Sequence, residues 1–148
     1  MPQQLIVAEE ILSRRILAID DEEANVALLR NLLQREGYED VHCLTDSTKA
    51  LATYIDLEPD LVLLDLMMPE VDGFQLLEAF SRHDAADEFR PVLVLTADTT
   101  IQARRKALAL GAKDFVAKPF DVIEVGLRIS NLLETRLLYE RLRASPSD

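Results

Sequence analysis

The feature that most constrains this chain is a repeated change of hydrophobic period. Short runs of apolar residues alternate with longer stretches whose apolar positions recur at helical spacing. Arg15-Ile16-Leu17-Ala18-Ile19 is the first such run, and it stops on Asp20-Asp21. Ala24, Leu28, Leu29, Leu32 and Leu33 then follow at helical spacing, with Gly37 as a stop signal. The alternation predicts strands over 41–44, 61–64, 92–96 and 114–117. It predicts helices over about 47–56, 74–83, 100–110 and 122–143. Thr99 and Gln102 are spaced as a capping box for the fourth helix, and Asp121 with Glu124 fits a looser box for the last. Nearly every strand position is apolar, so both faces of the sheet must be covered. The expected class is α/β, a five-stranded parallel sheet with helices on both faces and an extended C-terminal helix.

In open parallel sheets, ligands bind at the carboxyl ends of the strands. Asp20 and Asp21 follow the first strand, Asp65 the third, Thr96 ends the fourth, and Lys118 follows the fifth. One strand-end Asp is usually a turn former. Three carboxylates gathered with a hydroxyl and an ammonium need a cation or a proton to relieve their repulsion. Mg²⁺ suits the set, because it takes oxygen ligands, keeps waters, and commonly uses one or two carboxylates plus a phosphate oxygen. Asp21 and Asp65 are the expected direct ligands, with Asp20 acting directly or through water. A carboxylate in such a site can also attack phosphorus, and Asp65 is the expected nucleophile. Lys118 and Thr96 would meet the phosphoryl oxygens.

These residues sit in four motifs: Ile19-Asp20-Asp21-Glu22, the run from Leu64-Asp65 through Met67-Met68-Pro69 to Asp72-Gly73, Leu95-Thr96-Ala97, and Lys118-Pro119-Phe120. The intervals are 44 residues from Asp21 to Asp65, 31 on to Thr96 and 22 on to Lys118. In order and spacing the chain resembles response-regulator receiver domains over roughly residues 15 to 132. The resemblance implies a flavodoxin-like fold and phosphorylation of Asp65 by a sensor histidine kinase or a histidine phosphotransfer protein. It implies Mg²⁺ held by Asp20, Asp21, Asp65 and the Met67 backbone carbonyl. It further implies that Thr96 and Phe115 move on phosphorylation and that the Lys118–Pro119 bond is cis. Since residue 115 is Phe, the switch would work by burying an apolar ring. Met67 and Asp98 stand where receivers vary and tune the lifetime of the acyl phosphate.

Composition narrows the alternatives. Acidic residues outnumber basic ones 27 to 16, a net charge of -11 that repels phosphate backbones and anionic lipid. No direct contact with nucleic acid or membrane is expected, and no apolar run reaches the length of about 18 residues that a spanning helix needs. The single cysteine, Cys43, cannot close an internal disulfide, is expected to fill core space, and suits a reducing cytoplasm. Nothing in the sequence supports phosphohistidine chemistry at His42 or His83, read as structural and solvated, since in the family resembled the phosphohistidine belongs to the partner; Met67 and Met68 have no Cys or His companions for a soft metal. Arg104, Arg105 and Lys106 form the one compact basic cluster, either a docking face or a solvated one. An aspartyl phosphatase would need a second Asp where Met67 stands, and a nucleotide-binding domain would need a glycine-rich loop where Asp20-Asp21-Glu22-Glu23 stands. No enzyme activity is expected beyond accepting a phosphoryl group and slowly losing it. A receiver-like interaction module without phosphorylation is the rival reading.

Three segments result: an N-terminal extension (1–14), the receiver-like domain (15–132), and a helical extension with its tail (133–148). In the last, Leu133, Leu137, Leu138 and Leu142 continue the apolar pattern. A helix over 122–143 runs about 33 Å against about 17 Å for a five-residue strand. It should overhang the domain, and its leucines need cover. That cover could come from a homodimer through this helix, or through the face made by the helix at 100–110, the strand at 114–117 and the last helix. It could equally be a linker toward another domain, or the apolar N-terminal residues Leu5-Ile6-Val7 and Ile11-Leu12.

Overall fold

The computed structural model describes residues 6–144; Leu5 and the tail at 145–148, both named above, lie outside it. The elements run α1 (Ala8–Leu12), β1 (Arg15–Ile19), α2 (Glu23–Glu36), β2 (Asp40–Leu44), a 3₁₀ turn (Ser47–Lys49), α3 (Ala50–Leu57), β3 (Leu61–Leu64), α4 (Gly73–His83), β4 (Val92–Thr96), α5 (Ile101–Ala109), β5 (Asp114–Ala117) and α6 (Val122–Ala144). All strand pairs are parallel, in the order β2-β1-β3-β4-β5.

The uniformly apolar strands are explained by what lies on each side. Side chains alternate across a strand, so Leu17, Ile19, Val62, Leu64, Val92 and Val94 pack with residues of α3, α4 and α5. Ile16, Ala18, Leu61, Leu63, Leu93 and Leu95 pack with α2 and α6 on the other face. After β2 the chain recrosses β1 to form β3. That reversal leaves a crevice beyond the carboxyl ends of β1 and β3, the place where such sheets bind ligands.

The edge of the sheet accounts for one difference from expectation. Cys43 is only half-buried, because β2 is an edge strand and none of its five residues is fully covered. Beside it, His42 Nε2 lies 2.6 Å from Asp40 Oδ1. The cap of α5 also falls one residue later than the spacing of Thr99 and Gln102 suggests. Thr100 accepts from the Ala103 N–H at 3.2 Å, while Asp98 Oδ1 accepts from the Thr100 N–H. With adjacent threonines, the backbone path decides which one caps. At α6 the expected acid serves, since Asp121 Oδ1 accepts from the N–H groups of Ile123 (2.8 Å) and Glu124 (3.4 Å).

The later turns of α6 are covered in part from within the chain. Val125, Ile129, Leu133 and Leu137 form its buried stripe, with Ile11 and Leu12 of α1 in the same cluster except at Leu137. Arg141 donates to Glu10 Oε1 at 2.7 Å, tying α6 to α1. Arg136, on the same helix, is nearly buried and donates from Nε to Asp60 Oδ1 at 2.7 Å. Leu133 and Leu137 therefore need no second chain, whereas Leu138 and Leu142 stay exposed.

Candidate functional site

Asp20 and Asp65 belong to the ends of the ladder and are held by it. The Asp20 N–H donates to Leu44 O and the Asp65 N–H to Ile19 O, each at 3.1 Å, so the strands fix where both side chains begin. Both residues are buried, at 2% and 5% exposure, while Asp21 is the open member of the group. One carboxylate oxygen from each of the three lies within 4.8 Å of the others. Lys118 enters from the end of β5, where its N–H donates to Thr96 O at 2.8 Å and its bond to Pro119 is cis. Its Nζ donates to Asp20 Oδ2 at 2.6 Å and to Asp65 Oδ2 at 3.3 Å.

The backbone of the loops orients the remaining oxygens. Asp20 Oδ1 accepts from the Glu22 N–H at 3.0 Å, and Asp65 Oδ1 from the Met67 N–H at 3.1 Å. Burial raises the Asp65 carboxyl above its usual range; the Met67 N–H and Lys118 pull it down, and neighbouring Asp20 adds to the rise. For Lys118, burial alone would lower the ammonium, but bonds and charge from Asp20 and Asp65 outweigh it and the shift is upward. The ammonium thus stays charged among three carboxylates and leaves the cluster anionic. Hard oxygen donors, a surplus of negative charge and one open carboxylate, Asp21, fit a small divalent cation.

The other expected residues fall around this cluster. Thr96 is fully buried at the end of β4, and its hydroxyl accepts from the Asp98 N–H at 3.3 Å. The Asp98 carboxylate turns away toward Thr100. Met67 projects its side chain outward, 58% exposed. Phe115 is buried in β5 with the Arg104 guanidinium 5.6 Å from its ring centroid, and Lys106 sits 4.4 Å from the ring of Phe74. Two members of the basic cluster are therefore engaged with aromatic faces rather than simply solvated.

Sequence reasoning missed the supports of the loop after Asp65. Asp72 and Gln75 form a reciprocal capping box at the start of α4, which the Asp-x-x-Gln spacing could have revealed. Ser47 is buried and donates to Pro69 O at 2.9 Å, holding the turn in which Glu70 adopts a φ of 69°. Gly73 donates to Leu66 O at 3.0 Å, and a Cβ there would lie 2.5 Å from the Asp65 carbonyl oxygen.

A doubly wound sheet with this acidic crevice and lysine defines a class. The family model described as the response regulator receiver domain matches residues 16–130, and the chain belongs to that family. It is 39% identical over 137 residues to the regulatory protein VanRc of Enterococcus gallinarum, covering 92% of this chain and 57% of that protein. It is 42% identical over 119 residues to the DNA-binding dual master transcriptional regulator RpaA of Synechocystis sp., covering 80% of this chain and 48% of that protein. The chain thus spans about half the length of these curated relatives. Among solved structures, a chain of the CheX-CheY-BeF3-Mg+2 complex from Borrelia burgdorferi superposes with a TM-score of 0.74 at 27% identity, covering 80% of this chain and 88% of that one. Receivers of this kind are the switch modules of two-component signalling and interact with histidine kinases. No helix among the described residues is long and apolar enough to cross a membrane.

Proposed function

We propose that this chain is a phosphoryl-accepting switch whose acceptor is Asp65. The observation that carries the reading is the meeting of Lys118 Nζ with Asp20 and Asp65 inside a cluster of three carboxylates. A carboxylate oxygen of Asp65 attacks the phosphorus of a phosphohistidine on a sensor kinase or phosphotransfer protein. The O–P bond forms, the N–P bond breaks, and its electron pair returns to the imidazole nitrogen. Asp20, Asp21, Asp65 and the Met67 backbone carbonyl would hold Mg²⁺, which when bound neutralises charge on the phosphoryl oxygens. Lys118 adds a fixed positive charge, already desolvated and aimed at the acceptor. Thr96 follows the phosphoryl group with its hydroxyl, and the Phe115 ring adjusts with it, carrying the change toward α5 and α6. The chain acts on no substrate other than its own acyl phosphate and works in the cytoplasm. Its acid surplus disfavours direct contact with nucleic acid through these residues.

Acetyl phosphate with Mg²⁺ should add one phosphoryl group, located at Asp65 by mass spectrometry, with little addition after chelation. An adduct that persists in Asp65→Ala overturns the assignment.

A further inference from the structure

The outward face of α6 carries Ile123 (71% exposed), Leu127 (62%), Leu138 (41%) and Leu142 (75%). Asn131 and Glu134, also exposed, stand between the two apolar pairs. At 3.6 residues per turn these six positions fall within an arc of about 100°. Their order is symmetrical about the point between Leu132 and Leu133. A second copy of the helix laid antiparallel on this face therefore sets Ile123 against Leu142, Leu127 against Leu138, and the amide of Asn131 against the carboxylate of Glu134. Flanking them, Glu124 comes opposite Arg141, which also holds Glu10 of its own chain. Glu124 also accepts from Arg128 of its own chain at 3.0 Å. A parallel pairing would instead bring Glu134 to Glu134, where like charges repel.

We infer that two copies of this chain associate through antiparallel pairing of α6. The occupant follows from charge and shape together. Beside Ile123 and Leu127, α2 and α6 border a groove of about 400 Å³ lined also by Leu32, Glu36, Val122 and Gly126, and the missing side chain of Gly126 opens it. Leu142 of the second copy, opposite Ile123, reaches that groove. The contact is isologous, with the same patch on both copies, and so closes at two. Because α6 starts beside Lys118 and runs away from it, the two Asp65 sites face opposite ends of the pair and stay open. Association is independent of the phosphorylation reading, and Asp65→Ala should pair like the wild type.

Light scattering over a dilution series tests it. The wild type and Asp65→Ala are expected at two chains. Leu127→Lys alone and Leu138→Glu alone should fall to one, with unchanged circular dichroism because both positions face solvent. The double variant should return to two, since each introduced ammonium meets the introduced carboxylate of the other copy. Within one chain these groups are about 16 Å apart along the helix and cannot satisfy each other. A wild type that stays at one chain, single variants that stay at two, or a double variant that is not restored would each overturn the pairing.

Discussion

Replacing Gly73 with Ala sets two magnitudes against each other with opposite signs. Gly73 is the first residue of α4, and helix propensity alone favours Ala by up to about 1 kcal/mol. The added Cβ, however, would stand 2.5 Å from the Asp65 carbonyl oxygen and 2.6 Å from Leu66 Cα. Ordinary carbon contacts lie near 3.5–4.0 Å, so both overlaps approach 1 Å and both fall on backbone, which cannot rotate away. The Gly73 N–H bond to Leu66 O holds the two segments together and blocks an easy separation. Overpacking of this kind costs about 1–3 kcal/mol, or more where backbone must shift. The net expectation is a loss of about 2 kcal/mol, which for a domain of this size lowers the midpoint of thermal unfolding by about 4–8 °C. Relief of the clash also displaces the Asp65 peptide, and a misplacement near 1 Å at a reacting group can cost about 10²-fold in rate. Urea unfolding and the rate of Asp65 modification by acetyl phosphate measure the two effects. The same exchange at Gly126, where a Cβ would meet nothing nearer than Glu36 Oε1 at 3.8 Å, should raise stability by up to about 1 kcal/mol. If Gly73→Ala were as stable as the wild type and accepted phosphate at the same rate, the close approach would not be what requires glycine there.

Further expectations concern the base of the domain, its pH response and the loop beside the acceptor. Arg136→Ala removes the nearest charged partner of the nearly buried Asp60, which keeps the Arg15 N–H at 2.9 Å and Arg14 at 3.5 Å, and should cost about 1.5–3 kcal/mol in urea unfolding, whereas Arg136→Met combined with Asp60→Asn should recover most of the loss. Burial, with some help from Glu36, pushes the Tyr38 hydroxyl up to about 12 in the folded state. The stability this carries is complete below the unfolded value near 10 and is lost as pH rises toward 12, by up to about 3 kcal/mol. Tyr38→Phe should therefore lose less stability than the wild type over that window, and parallel curves would refute the burial account. Met67→Asn replaces an exposed thioether next to the acceptor and should shorten the lifetime of the acyl phosphate severalfold; an unchanged decay by mass spectrometry would remove Met67 from control of water access.

The strands and the acidic residues that end them were legible because each rests on a local rule. A run such as Leu61 to Leu64 is apolar in every position only if both faces are covered, and the Asp65 that follows marks where the strand ends. Supports that depend on distant partners were not legible. Arg136 and Asp60 are 76 residues apart, and Tyr54 donates to Asp84 across 30 residues; no periodicity in either segment announces a partner. The helix α1 was not foreseen for a related reason. It is only 5 residues long, too short for a period, and it gains its place by packing on α6.

What the chain determined by itself is thus the alternation of strands and helices from β1 onward, the parallel sheet and the identity of the acids, hydroxyl and lysine at its rim. Hydrophobic period and strand-end position depend only on neighbours in sequence. Tertiary structure decided that Lys118 spans Asp20 and Asp65, that Asp21 is the open carboxylate, that Gly73 must lack a side chain, and that α1 joins the cluster around Leu133 while Leu138 and Leu142 stay exposed. Each of these depends on the distance between segments far apart in the chain, and that distance exists only once both faces of the sheet are packed.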